Sequence, residues 1–184
     1  EVGARDGFQN ESAEVPTAVK IELIERLADA GLKAVEAGAF VSAKKVPQMA
    51  DSKEVFQSLK RLPGTSYPAL VPNMKGFEAA AEAGAKEIAV FVSASEGFSQ
   101  HNIGCSRAES LVRLKDVAAA ARDAERPHSV PVKVLADDVP DALVEAERIG
   151  VERPLRDLVP QRRPVCELNG ALLRDRGLEL REAR

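Results

Sequence analysis

Apolar positions in the first 121 residues fall into two alternating patterns. Residues 17–30 read as a helix, because Val19, Leu23, Ile24 and Leu27 share a face at the helical spacing. Pro16 and Thr17 suit its start and Gly31 its stop. Residues 33–39 then read as a strand, and Glu1-Val2 as the stub of an earlier one. A second helix is predicted over 52–62, ended by Pro63-Gly64, and a strand over 66–71, with Pro68 a blemish. Residues 75–83 form a predicted helix closed by Gly84. The run Glu-Ile-Ala-Val-Phe-Val-Ser at 87–93 is apolar on both faces, as strands inside parallel sheets are. Residues 106–123 read as a helix with Ser106 as cap and Glu109 three residues on, the capping-box spacing.

Strand and helix alternating with short connections predict an α/β fold with a parallel sheet. The pattern alone does not separate a barrel from an open sheet. No Gly-x-Gly-x-x-Gly follows the first strand, which argues against dinucleotide binding.

The last third changes character. From Arg122 onward there are eleven arginines and one lysine, against five and nine before it, and no aromatic residue follows Phe98. Prolines stand at 127, 131, 140, 154, 160 and 164. Residues 130–135 read as a fifth strand, 140–149 as a helix and 171–183 as a short charged helix. Over 151–164 the apolar spacing is irregular. The expectation is a division into residues 1–122 and a divergent tail, 123–184. A reading-frame shift in a GC-rich gene would give a tail of this composition, and the encoding DNA read in its other frames tests that idea.

The chain has 184 residues, enough for one core but short of the roughly 250 of a complete (β/α)8 barrel. A formal net charge of −3 gives no argument for nucleic acid or a membrane surface as partner. Two cysteines, Cys105 and Cys166, make no disulfide framework. No apolar run approaches the roughly 18 residues of a membrane span, and no signal peptide opens the chain. The first methionine is Met49, so the natural start is expected to be missing. These features set the expectation of a cytoplasmic protein.

Candidate chemistry concentrates at Glu-Val-Gly-Ala-Arg-Asp-Gly-Phe-Gln-Asn-Glu, residues 1–11. An Arg-Asp pair directly follows a short strand, where barrels carry their active sites. Asp6 is a hard oxygen donor for a divalent cation, and Arg5 a fixed positive fork for a carboxylate or a developing enolate. The competing reading is a structural ion pair at a loop entry. His101, in a polar loop, and His128 read as loop residues; Cys105, Met49 and Met74 read as packing. Lys44, Lys45 and Lys75 could meet phosphates or could simply be solvated.

The full string resembles the first active-site segment of the hydroxymethylglutaryl-CoA lyase family. Three further stretches match that family in order: 40–51 (Phe-Val-Ser-Ala-Lys-Lys-Val-Pro-Gln-Met-Ala-Asp), 67–80 (beginning Tyr-Pro-Ala-Leu-Val-Pro-Asn-Met-Lys-Gly-Phe) and 94–106 (Ala-Ser-Glu-Gly-Phe through Asn-Ile-Gly-Cys-Ser). The resemblance covers about residues 1–122. It implies an incomplete TIM barrel, the first four to five βα units, with an irregular C-terminal tail. It also implies metal-dependent cleavage of 3-hydroxy-3-methylglutaryl-CoA to acetoacetate and acetyl-CoA. By resemblance, Arg5 contacts the acyl substrate and steadies the enolate, Asp6 is a ligand of Mg or Mn, and Glu36 supports the site as a catalytic residue. Gln9, Lys75 and Asn102 join Arg5 as candidate substrate-binding residues. The implied partner is a small acyl-CoA, with a homo-oligomer as a further expectation.

Departures from the family pattern are Ala4, Ala43, Lys45 and Gly104. The family's His-x-His pair, its late-strand Asn and its cysteine in a Gly-rich loop have no counterpart: the two histidines are 101 and 128, and Cys166 sits in Val-Cys-Glu-Leu-Asn-Gly. One Asp surrounded by water does not hold a divalent ion tightly, since the ion keeps its hydration shell. The expectation is therefore a lyase-type chain with little or no activity by itself. Two alternatives remain: another Claisen-type barrel metallolyase or synthase, and a non-catalytic half-barrel that associates with another chain.

Overall fold

Parallel strands stand side by side in the order in which the chain makes them. They are β1 (Gly38–Ala39), β2 (Ala69–Leu70), β3 (Ile88–Val92) and β4 (Val132–Ala136), and every neighbouring pair is parallel. The computed structural model describes residues 1–93, 95–123 and, as backbone alone, 132–136. All lie in the first of two compact units, Glu1–Pro154; the second, Leu155–Arg184, falls outside the described residues. So do the helices predicted over 140–149 and 171–183, and His128 and Cys166. The strand expected at 130–135 is β4.

Helix α1 (Thr17–Asp29) buries Lys20, Ile24 and Ala28, one every four residues. Val19, expected on that face, is 48% exposed. The apolar pattern was misleading because the buried line opens on a lysine. Gly31, at φ +92°, closes the helix. The Leu32 amide donates to the Leu27 carbonyl and the Gly31 amide to Ala28, a Schellman ending.

Helix α2 (Ser52–Ser58) stops four residues before the predicted end. Leu59 turns extended (ψ 125°) and buried, and the backbone beyond it finds tertiary partners. The Lys60 amide donates to Glu25 and the Leu62 amide to the Tyr67 hydroxyl, while Arg61 donates to the Phe56 and Gly84 carbonyls. These bonds replace the helical ones that the sequence pattern predicted. Helix α3 (Met74–Glu82) starts one residue earlier than predicted, behind Asn73, whose side chain accepts from the Gly76 amide. Helix α4 (Glu96–Ile103) was not predicted. Helix α5 (Arg107–Arg122) has both bonds of the predicted capping box.

The strands predicted at 33–39 and 66–71 are formed only in part. Ala34 bridges Ser66 and Ala39 pairs with Leu70, so five steps along one chain face four along the other. The extra residue is a bulge in the first strand. Pro68 lies between these pairings; its carbonyl accepts from the Ala37 amide, but its ring nitrogen has no hydrogen to return. The ladder is broken where the proline sits. On the other side of β1, Glu1 donates its amine to the Ala34 carbonyl and accepts from the Glu36 amide. That is the bonding of one parallel pair, as the stub reading anticipated.

The bulge decides which face each residue takes. Gly38 packs on α2: a Cβ there would stand 2.9 Å from Ser52 Oγ and 3.4 Å from Phe56 Cε2. Gly38 pairs with Ala69 and Ala69 with Ile88, so these share the helix face with Val71, Val90 and Val92, all in the main apolar cluster. The other face carries Leu70, Ala89 and Phe91, and also Glu36, which lies before the bulge.

Candidate active site

Between the Glu1 pairing and α1 the chain makes a π-helical turn, Gly3–Gly7, of a kind often found at functional sites. Nothing in the residue pattern announced it. The Arg5 and Asp6 amides both donate to the Val2 carbonyl, and the turn places the two side chains together. Arg5 donates from Nε to Glu36 Oε1 at 3.0 Å and from Nη2 to Glu36 Oε2 at 3.1 Å. Its third arm, Nη1, donates to Asp6 Oδ1 at 2.8 Å. The first two bonds form a bidentate fork, which fixes the guanidinium plane as well as its position.

Burial grades sharply across the three. Glu36 is 4% exposed and Arg5 9%, whereas the Asp6 side chain is 52% exposed. The pair is thus held inside the fold with Asp6 at its open end. Burial pushes the Glu36 carboxyl above its ordinary range; the Arg5 guanidinium opposes that shift, and Asp6 adds to it. With both acids ionised, one cation faces two anions, and the cluster keeps an excess of negative charge.

A second polar network lies beside it. Lys20 Nζ donates to Asp51 Oδ1 at 2.7 Å and to the Gln48 carbonyl at 2.6 Å. Thr17 Oγ1 donates to Asp51 Oδ2, and Gln48 Nε2 to the Glu11 carbonyl. Sequence reasoning missed this network, although a lysine at the i, i+4, i+8 position of an apolar stripe was a signal for it.

The HMGL-like family model matches residues 1–148. The chain belongs to the HMGL-like family. The match runs past Arg122. Over 133 residues the chain is 56% identical to the mitochondrial hydroxymethylglutaryl-CoA lyase of Arabidopsis thaliana, covering 72% of this chain and 28% of the relative. It is 54% identical over 133 residues to the 3-hydroxy-3-isohexenylglutaryl-CoA/hydroxymethylglutaryl-CoA lyase of Pseudomonas aeruginosa, covering 72% and 43%. The crystal structure of the HMG-CoA lyase from Brucella melitensis superposes with a TM-score of 0.75 at 45% identity, over 82% of this chain and 58% of that one. The chain therefore spans under half the length of these two relatives and just over half of that solved structure.

In this HMGL-like chain, Arg5, Asp6 and Glu36 are brought together, with Glu36 before the bulge. Gln9, half-buried, follows the turn three residues after Asp6. Lys75 is exposed in the first turn of α3, just after β2, and Asn102 is exposed near the end of α4. No side-chain hydrogen bond links these three to the Arg5 cluster. His101 is on α4 rather than in a loop, and is exposed. Cys105 is buried and free, and its carbonyl accepts from Ser99 Oγ. Met49 is buried and Met74 packs on the core. Among the described residues no three His, Cys, Asp or Glu side chains gather as a metal site would require. Asp6 supplies a suitable hard donor, but the described residues do not fit a complete divalent site.

Proposed function

We propose that the described part of the chain is the opening section of a hydroxymethylglutaryl-CoA lyase barrel, and that Arg5, Asp6 and Glu36 are its reacting end. Strand order supports the barrel. An open doubly wound sheet reverses its order at a switch point, whereas a barrel adds each strand beside the last, as β1 to β4 do here. The Arg5 fork on Glu36, with its free end on Asp6, carries the functional reading.

In the proposed reaction, a base takes the C3 hydroxyl proton of 3-hydroxy-3-methylglutaryl-CoA, the C2–C3 bond breaks to give acetoacetate and the acetyl-CoA enolate, and an acid protonates that enolate to acetyl-CoA. Arg5 stabilises negative charge growing on oxygen, and Glu36 keeps its guanidinium from turning away. Asp6 is the residue here that would hold a divalent cation, Mg or Mn, and such an ion would supply Lewis-acid polarisation. Gln9, Lys75 and Asn102 are proposed to contact the acyl-CoA from the connections that follow the strands. No helix of the described residues is long and apolar enough to cross a membrane. The proposed location is the cytoplasm, or the mitochondrial matrix in a eukaryote.

The test is a chimera in which residues 1–136 replace the matching segment of the Pseudomonas aeruginosa lyase. Acetoacetate release should persist, and Arg5→Gln should lower it by about 10²–10³-fold, the range for losing one oxyanion donor. A chimera that turns over equally well with Arg5→Gln and with Asp6→Asn would refute the assignment.

A further inference from the structure

Among the described residues three charged side chains are buried: Arg5, Glu36 and Lys20. The first two answer each other. The third is spent on a loop. Lys20 is 5% exposed on α1, and both of its bonds go to the segment that joins β1 to α2: the Gln48 carbonyl and the Asp51 carboxylate. The second Asp51 oxygen is held by Thr17, one turn earlier on the same helix. Gln48 then reaches the other way, from this segment to the Glu11 carbonyl. Glu11 lies five residues beyond Asp6, and the segment itself begins where the strand bearing Glu36 ends.

We propose that Lys20 is a positioning residue: with Asp51 and Gln48 it latches the 40–51 segment onto α1 and so fixes the two chain stretches that present Arg5–Asp6 and Glu36 to each other. Little regular structure holds this segment otherwise. It contains one 3-10 turn, Pro47–Met49, anchored by Ser52 Oγ, which donates to the Met49 carbonyl and accepts from the Ala39 amide. Residues 42–45 are exposed. A buried ammonium with two directed partners sets position in a way that apolar contact does not, because its bonds fail if either partner moves. Importance for catalysis rests on the lyase reading; the latch does not, and its test needs neither metal nor acyl-CoA.

Hydrogen exchange on the full chain, read for amides 42–50 against β3 amides 88–92, separates a latch from a general stabiliser. In Lys20→Met the loop amides should exchange at least about tenfold faster relative to β3, since local opening is set by local contacts. Gln48→Ala, at a half-buried side chain whose loss leaves the core intact, should give a smaller change in the same amides. The Arg5 Nε–H resonance, assigned with Arg5→Lys, should lose protection in Lys20→Met, and Lys20→Arg should restore part of it. Loop and β3 amides accelerating by the same factor in Lys20→Met, with no change in Gln48→Ala, would make Lys20 a core filler and overturn the proposal. Failure of metal or acyl-CoA binding would count against the lyase reading alone.

Discussion

At the scale of single residues, the Arg5–Glu36 pair decides most. Burying two opposite charges gains little over burying apolar groups, but removing one partner strands the other. Glu36→Ala should therefore destabilise the chain by about 3–5 kcal/mol in urea or thermal unfolding, and Arg5→Met with Glu36→Leu should recover much of that loss. The pH dependence has a definite sign. Because burial raises the Glu36 carboxyl in the folded state, the native form binds that proton more tightly than the unfolded form. Relative to Glu36→Gln, the parent should be most stable below the ordinary glutamate value of 4.5, and should lose that advantage as pH rises through the raised value. Unfolding curves of the two proteins that stay parallel across this range would contradict the stated direction. Arg5, Asp6 and Glu36 were singled out in the sequence, and Arg5 and Asp6 are neighbours there; the contact of Arg5 with Glu36 was not legible, because 31 positions separate them.

At the scale of elements, local signals held where the chain satisfied itself and failed where another element intervened. The α5 cap is local, and Ser106→Ala should cost about 1 kcal/mol of stability. Hydrogen bonds from the Ser106 backbone and hydroxyl hold the Glu109 carboxyl below its ordinary range. Its contribution is present above the unfolded value and is lost as pH falls through the lowered one. Glu109→Gln should keep much of the cap and flatten that acid limb in a thermal melt series. Gly76 is the opposite case. A Cβ there would stand 2.6 Å from the Phe40 carbonyl oxygen and 3.0 Å from Pro72 Cδ. Gly76→Ala should destabilise by about 1–3 kcal/mol, the usual cost of overpacking, and should shift the start of α3 that bears Lys75. The bulge in the first strand and the early end of α2 belong here too. Both answer to partners outside the element itself: Pro68 in one case, Glu25, Tyr67 and Gly84 in the other.

At the scale of the whole molecule, a family of longer proteins supplies the context. With no group of three His, Cys, Asp or Glu side chains placed to hold a metal ion among the described residues, the chain alone should release acetoacetate far more slowly than a full-length relative, because ligand number and charge set the ion's retention. A coupled assay with Mg or Mn measures this, and turnover near that of the relative would contradict it. The sequence by itself determined the α/β alternation, the parallel character of the sheet, the α5 capping box and the family. Each of these is written in spacing or in contiguous strings. Tertiary structure alone decided that Glu36 shares a face with Leu70 rather than with Gly38, that Arg5 turns one arm to Asp6 and two to Glu36, and that a lysine belongs in the buried line of α1. Those outcomes depend on a one-residue slip in register and on charges finding partners across tens of residues. Periodicity along a chain marks Lys20 as out of place on an apolar stripe but names neither the partner nor the register.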